Sequence, residues 1–515
     1  MVRQMIERGV CDFVLSPGSR NAPLSIALFE AEEAGLINLY VRIDERGAAF
    51  FALGLSKASN NYVVVICTSG TAAANFHPAA LEAYHSATKL LVITADRPAY
   101  LRRSGANQTT LQVGLLSPLE SVDIASPRDI SEYLLQGPIH LNMQFDEPLL
   151  SEDHADWLEG LSPLIQGSEH PLTHQETKVL SAKSHGVVIV GHDRAGISPD
   201  RITELASELG WPIIAEDPLS FSTAISHAPL FLSDEKICAS LKLEQIIVIG
   251  RVGLSRSIST FIKECNDVIV IDPRVFSIDT ERKAPQVFMD IPQVKASVDF
   301  SWIPLWGNLS DLAASSLNLD WSEQRAIRAI GAHIPAGSAF FVGSSRPVRD
   351  IEAFCEPRQG ITTFANRGLA GIDGNISTAF GIAEKFDRTF ALLGDLTFLH
   401  DISALVNPSS ANLTIFIIDN NGGGIFNTLP QAGVGGFEKI FGTAHNLDIA
   451  EIINSFGVRV QRVKSESDLL HVISHEIYGL NFVVIEVPSR EINAAKLKEV
   501  TQSLVSAVRI GSNLA

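Results

Sequence analysis

Short runs of β-branched and other apolar residues recur along the chain. Each ends in a turn rich in Gly, Ser, Asn or Asp and is followed by a segment with apolar positions at helical spacing. That alternation predicts parallel α/β sheets, because a strand buried on both faces reads as an unbroken apolar run and needs a crossover to reach its parallel neighbour. The pattern comes in three blocks. In the first, residues 13–15, 39–43, 63–67 and 90–94 read as strands, with 140–145 as a further one, and helices are expected near 22–33, 45–59 and 71–86. The second block has strands at 187–190, 213–215, 246–249 and 268–271, and the third at 340–342, 390–393, 413–418 and 482–487. Between about 150 and 183 the chain turns polar and is punctuated by His, Ser and Pro, which predicts a linker. The stretch around 300–335 is weakly patterned. Three consecutive α/β domains with parallel sheets are expected, at residues 1–170, 171–332 and 333–515. The length of 515 residues agrees with domains of roughly 150 residues each.

Composition narrows the class. With 46% hydrophobic and 19% charged residues the chain can bury a large core and is not a disordered one. The balance of 58 acidic against 40 basic residues, a net charge of −18, opposes nonspecific binding to nucleic acid or to an anionic membrane, so an anionic ligand requires a local cluster of Arg or Lys. Five cysteines without a CxxC pair support neither a disulfide framework nor a cysteine zinc site, and fit a reducing cytosol. The first twenty residues carry Arg3, Glu7, Arg8 and Asp12 and lack an apolar signal region, and no later run reaches about 18 uncharged apolar residues. A cytoplasmic protein without membrane insertion is expected.

Two turns carry the sharpest chemical signal. Gly394-Asp395-Leu396 directly follows the apolar run 390–393, and Asp419-Asn420-Asn421-Gly422-Gly423-Gly424 directly follows 413–418. Both fall at strand C-terminal ends, where open parallel sheets bind ligands. The 25 residues from Asp395 to Asn420 are about one strand-helix-strand crossover, so the turns can be neighbours. A carboxylate, an amide oxygen and a carbonyl from a Gly-rich turn are hard oxygen ligands suited to Mg²⁺ held against a diphosphate. Either turn alone is more often an ordinary turn; the spacing of the pair is what points to a site. Other signals are weaker. His471 and His475 have i, i+4 spacing without the Glu of HExxH, Ser69 in TSGTA is not in a GxSxG elbow, and no Walker A sequence occurs.

The pair of turns, GDL and NNGG, resembles the metal and diphosphate signature of thiamine-diphosphate enzymes, with Leu396 in place of the usual third Gly. SPGSRNAP (16–23), DERG (44–47), TSGTA (68–72), TADRP (94–98), GANQ (105–108), NRG (366–368) and GIDG (371–374) extend the likeness. Together they resemble the 2-succinyl-5-enolpyruvyl-6-hydroxy-3-cyclohexene-1-carboxylate synthase family of menaquinone biosynthesis, in motif order over nearly the whole chain and most weakly in the second block.

The resemblance implies the thiamine-diphosphate-enzyme architecture: a pyrimidine-binding domain, a central Rossmann-like domain that here lacks GxGxxG, and a domain binding diphosphate and metal. It makes Glu45 the catalytic residue, hydrogen-bonded to the cofactor's aminopyrimidine ring and promoting loss of the thiazolium C2 proton. Without it, Glu45 reads as an acid at a helix start, favoured by the helix dipole. Gly394, Asp395, Leu396, Asn420, Gly422 and Gly423 are implied to bind the cofactor, with Asp395, Asn420 and Gly422 as ligands of Mg²⁺ or Mn²⁺. Ile372 is implied to prop the bent cofactor, and Ile425 and Phe426 to pack around it. The family's substrates, 2-oxoglutarate and isochorismate, are dianions that need cationic anchors, for which guanidinium groups offer bidentate geometry. Ser19, Arg20, Arg97, Asn107, Gln108 and Arg256 are implied on the isochorismate side. Ser345 and Arg349 are implied at the distal carboxylate of 2-oxoglutarate, and Arg367 within the site. The implied reaction is decarboxylation of 2-oxoglutarate and 1,4-addition of the succinyl carbanion equivalent to isochorismate. A homodimer is implied, with a tetramer as the alternative, because in the resembling enzymes the cofactor lies between subunits. Two rival readings stand beside this one. Another thiamine-diphosphate 2-oxo-acid enzyme is opposed by SPGSRN, ANQ and the arginines; a catalytically silent Rossmann-type protein is opposed by Glu45, Asp395 and Asn420.

Overall fold

The computed structural model describes residues 1–126, 128–135, 137–150, 156–162, 179–274, 284, 286–475 and 478–512. Two compact units are present. One comprises Met1–Glu169, Asn366–Thr389 and Thr397–Leu413, the other His170–Ala365, Phe390–Leu396 and Thr414–Ala515. No helix among the described residues is long and apolar enough to cross a membrane.

The first unit is built on six parallel strands, β1 (Asp12–Leu15), β2 (Asn38–Val41), β3 (Val63–Cys67), β4 (Leu90–Asp96), β5 (Glu120–Ile124) and β6 (Ile139–Gln144), in the order β2-β1-β3-β4-β6-β5. β1, β3 and β4 are buried at every position, which is why they read as unbroken apolar runs. β5 was not expected: its ESVDI sequence alternates charge with apolar residues, and it sits at the sheet edge, half exposed. From β1 the chain steps outward to β2 and returns to β3 on the other side. The loops leaving the C-terminal ends of β1 and β3 therefore diverge, as at a topological switch point. Those loops are SPGSRN and TSGT.

The helix Glu45–Ser59 begins where the Asp44 carboxylate accepts from the Arg46 N–H at 3.0 Å, and it ends at Asn60 in the left-handed region. It is buried from Gly47 to Ser56. Two glycines let it lie against the helix Asn375–Ala383: a Cβ on Gly54 would stand 2.1 Å from the Thr378 carbonyl oxygen, and one on Gly381 2.1 Å from that of Phe51. The single helix expected over 71–86 is two, Thr71–Asn75 and His77–Ser86. Pro78 accounts for the break, since it lacks an N–H and its ring clashes with the carbonyl four residues back.

In the second unit, β7 (Val179–Ser181) pairs with β13 (Gln293–Lys295). β8 (Gly186–Val190), β9 (Ile213–Ala215), β10 (Gln245–Ile249), β11 (Val268–Ile271) and β12 (Gln286–Phe288) form a parallel sheet ordered β12-β11-β10-β8-β9. β7 falls within the stretch read as a linker, of which residues 151–155 and 163–178 lie outside the described residues. The switch point of this sheet, between β8 and β10, is filled by backbone. A Cβ on Gly191 would stand 2.0 Å from the Arg251 carbonyl oxygen, and one on Gly250 2.1 Å from that of Asp193. The central Rossmann-like sheet thus lacks both the glycine fingerprint and the crevice of a dinucleotide site.

A further sheet has the order β15-β14-β16-β17-β19-β18, from β14 (Ala339–Val342), β15 (Thr362–Phe364), β16 (Thr389–Gly394), β17 (Leu413–Asp419), β18 (Arg459–Val463) and β19 (Leu480–Glu486). Its order reverses between β14 and β16. The loops diverging there carry Gly343-Ser344-Ser345 and Gly394-Asp395.

Candidate active site

In the second unit the two signature turns meet. β16 ends at Gly394 and Asp395 opens a short helix, while β17 ends at Asp419. Asp395 Oδ2 accepts from the backbone N–H groups of Asn420 at 3.2 Å and Gly422 at 2.9 Å, and Oδ1 accepts from the Leu396 N–H at 2.6 Å. Gly422 holds a φ of 133°, and a Cβ there would stand 2.3 Å from the Gly442 carbonyl oxygen, so only glycine fits. A Cβ on Gly394 would meet nothing within 4 Å, which leaves that face of the turn open to a ligand. Just past the glycines, Ile425 and Phe426 are half-buried, with the Phe426 ring 5.3 Å from that of Phe441.

Three residues join this cluster that had no role assigned from the sequence. His445 Nε2 lies 3.2 Å from Asp395 Oδ2 and 3.9 Å from Asp419 Oδ1, and these three side chains offer ligand atoms within 4.8 Å of one another. The hydrogen bond to Asp395 raises the His445 pKa against the opposing effect of burial. Burial, then the Asp395 charge, raises that of Asp419. The third is Glu323, whose Oε1 accepts from Asn420 Nδ2 at 2.7 Å; burial pushes its carboxyl up, opposed by Arg346. Arg346 also pairs with Asp350, whose carboxyl burial pushes up to about 7. Asp419 is visible in the sequence as the residue before Asn420, whereas His445 and Glu323 belong to no motif or periodicity.

A pocket of about 610 Å³ extends from Asp419 and Asn420 to Arg462, Glu486 and Arg490. Asn420 Oδ1 and Arg490 Nη1, from two residues lining it, are buried without a hydrogen-bond partner. Arg490 Nη2 pairs with Glu438 at 2.7 Å, so an open amide oxygen and one open guanidinium N–H, beside a carboxylate, are what suits a metal ion and a diphosphate. Ser345 lies in the same unit at the start of the helix Arg346–Phe354 with φ 76°, and its carbonyl accepts from Arg349 Nη1 at 2.7 Å. Arg256 is exposed at the first position of the helix Arg256–Glu264.

The first unit holds the other expected residues. Glu45 is half-buried at the first position of its helix, and its Oε2 accepts from Asn75 Nδ2 at 3.4 Å. Arg97 Nη1 donates to Ser69 Oγ at 3.2 Å and to the Gln108 carbonyl at 2.9 Å, while Gln108 Nε2 donates to the Ser69 carbonyl at 2.9 Å. TSGTA, TADRP and GANQ thus converge. Asn107 and Ser19 are exposed in their loops, and Arg20 is held by the Phe145 carbonyl and Glu147, each at 3.2 Å. Arg367 Nη1 is buried without a hydrogen-bond partner, and Ile372 is half-buried on the same loop.

The chain is similar to known proteins along nearly its whole length. The chain is 37% identical to the 2-succinyl-5-enolpyruvyl-6-hydroxy-3-cyclohexene-1-carboxylate synthase of Nocardioides sp., over 97% of this chain and 96% of that protein. It is 35% identical to the synthase of the same name from Thermobifida fusca, over 98% of each. The chain belongs to this synthase family. Residues 1–115 match the family "Thiamine pyrophosphate enzyme, N-terminal TPP binding domain", 151–342 "Middle domain of thiamine pyrophosphate", and 344–487 "Thiamine pyrophosphate enzyme, C-terminal TPP binding domain". Among solved structures, benzoylformate decarboxylase from Polynucleobacter necessarius shares the fold with a TM-score of 0.64 at 16% identity, covering 95% of this chain and 98% of that one. The cofactor is thiamine diphosphate.

Proposed function

We propose that the chain converts 2-oxoglutarate and isochorismate into 2-succinyl-5-enolpyruvyl-6-hydroxy-3-cyclohexene-1-carboxylate and CO₂, in the cytoplasm and as a step of menaquinone biosynthesis. The observation that carries this reading is the 37% identity, spanning nearly both full lengths, to a synthase of that name. Bound thiamine diphosphate supplies a nucleophilic carbon that adds to the 2-oxo group and an electron sink for loss of CO₂.

The chain's own residues do the rest. Glu45, fixed by the Asp44 cap, holds a proton at the aminopyrimidine ring nitrogen. Asp395, Asn420 and Gly422 hold Mg²⁺ or Mn²⁺ against the diphosphate, with Gly394, Leu396, Gly423, Ile425 and Phe426 shaping the surrounding wall. Arg349, steadied by the Ser345 carbonyl, binds the distal carboxylate of 2-oxoglutarate. Arg97 and Gln108, with Ser19, Arg20, Asn107 and Arg256, receive isochorismate, and Arg367 anchors a substrate carboxylate beside Ile372, which supports the cofactor. Orienting two dianions for one bond-forming step is a proximity contribution that these anchors provide. The working assembly is a homodimer, with a tetramer as the alternative, and the domains lie at 1–170, 171–332 and 333–515. Incubation with both substrates, thiamine diphosphate and Mg²⁺ tests the reading by mass spectrometry: the succinylated product is expected with 2-oxoglutarate, and its absence, or an equal yield of adduct from pyruvate, contradicts it.

A further inference from the structure

The loop that carries Arg367 and Ile372 is fastened from below by a residue outside every motif considered so far. Glu82 lies on the helix His77–Ser86 and is only 3% exposed. Its Oε1 accepts from the Gly368 N–H at 2.8 Å and its Oε2 from the Leu369 N–H at 2.7 Å. Lys57 Nζ, from the helix that Glu45 opens, stands 3.3 Å from Oε1. Buried carboxylates are rare unless paired and hydrogen-bonded, and this one is spent on two consecutive backbone donors of one loop. The loop also approaches closely: a Cβ on Gly368 would stand 2.5 Å from the Glu82 carbonyl oxygen and 2.9 Å from its Oε2. The side chains flanking this clamp are Arg367, with its buried unpartnered Nη1, and, further along, Ile372.

We propose that Glu82, supported by Lys57, is a positioning residue that sets the height and direction of the 366–372 loop, and through it the places of Arg367 and Ile372. This rests on the reading above that Arg367 meets substrate and Ile372 meets cofactor. Glutamine at position 82 can accept only one of the two N–H groups, because its amide nitrogen is a donor and opposes the other. The loop is then held at one point and free to turn.

The test uses the full-length protein with Glu82→Gln, Gly368→Ala, Arg367→Ala and the double variant Glu82→Gln/Arg367→Ala. Glu82→Gln and Gly368→Ala, which disturb the clamp from its two sides, are each expected to weaken calorimetrically measured binding of thiamine diphosphate with Mg²⁺ severalfold and to lower kcat/KM about tenfold or more. In the Arg367→Ala background, assayed at saturating thiamine diphosphate so that the Ile372 effect on cofactor binding is not read, Glu82→Gln is expected to lower kcat/KM by no more than about twofold, because the substrate anchor it positions is already gone. Parental affinity and kinetics in both clamp variants would overturn the proposal. So would a loss that multiplies undiminished with Arg367→Ala, which marks a general structural role. If Glu82→Gln does not fold, Gly368→Ala decides. If the parent does not turn over the two substrates, the functional reading fails by itself, and the cofactor affinities of the clamp variants still decide this proposal.

Discussion

The backbone N–H of Asn420 donates to Asp395 Oδ2 at 3.2 Å, so two turns separated by 25 residues of sequence meet in space. The sheet order explains the meeting: β16 and β17 are neighbours, and the crossover between them has the length of the gap. A carboxylate that collects two N–H groups from a glycine turn is placed before any ligand arrives, which is what a metal and diphosphate cradle requires.

Asp395→Ala is expected to abolish Mg²⁺-dependent binding of thiamine diphosphate while the protein stays folded. The change removes the carboxylate proposed to hold the metal and its three backbone hydrogen bonds, from Leu396, Asn420 and Gly422, at a strand end. Calorimetric titration beside a circular dichroism melt checks both halves of the statement. Parental binding would show that the diphosphate sits elsewhere.

Glu45→Gln is expected to bind the cofactor with nearly parental affinity but to slow exchange of its C2 proton by a large factor, since an amide does not stabilise a protonated ring nitrogen as a carboxylate does. Proton–deuterium exchange followed by quenched NMR measures this. An unchanged rate would leave Glu45 as a helix-start acid hydrogen-bonded to Asn75.

Arg349 and Arg97 are expected to fail at different steps. Arg349→Ala should slow release of CO₂ from 2-oxoglutarate, because a charge-assisted hydrogen bond of about 1.5–3 kcal/mol is lost, a factor of roughly ten to more than a hundred. Arg97→Ala should spare that half-reaction and raise the KM for isochorismate or slow its consumption. Stopped-flow records of the first half-reaction beside full turnover separate the two, and equal damage to CO₂ release would contradict separate anchors.

Acid should weaken the first unit through His140. This side chain is buried between Thr94 Oγ1 at 2.7 Å and Ser121 Oγ at 2.9 Å, and burial lowers its pKa from the ordinary 6.5 to about 4. Between those values the unfolded chain binds a proton that the folded chain refuses. The stability contribution is therefore complete above pH 6.5 and is lost as pH falls towards 4, about 2 kcal/mol of it by pH 5. The drop in Tm between pH 7 and pH 5 should be smaller in His140→Gln than in the parent; an equal drop would place the acid sensitivity in other groups.

The legible parts of the molecule are those whose signal is local. The helix expected near 45–59 spans Glu45–Ser59 because an Asp cap precedes it and a left-handed Asn follows it. The fully buried strands announce themselves as apolar runs. What stayed hidden lies at edges or acts across distance. β18, RVQRV, is half exposed, and β15 is three residues long, so neither has a pattern to read. The weakly patterned stretch around 300–335 holds the helices Trp302–Ser316 and Glu323–His333, and the second of these brings Glu323 to Asn420 from 97 residues away. Glu82, His445 and Glu323 were invisible for one reason: each is a single polar residue whose partner is fixed only by the tertiary fold.

One site is expected to join the four-carbon remainder of 2-oxoglutarate to isochorismate. Release of CO₂ from carboxyl-labelled 2-oxoglutarate, measured with thiamine diphosphate and Mg²⁺ in the presence and absence of isochorismate, tests it most directly. Sustained release that requires isochorismate and matches its consumption one to one is the expected result. Release at the same rate without isochorismate, or none with it, would contradict the account.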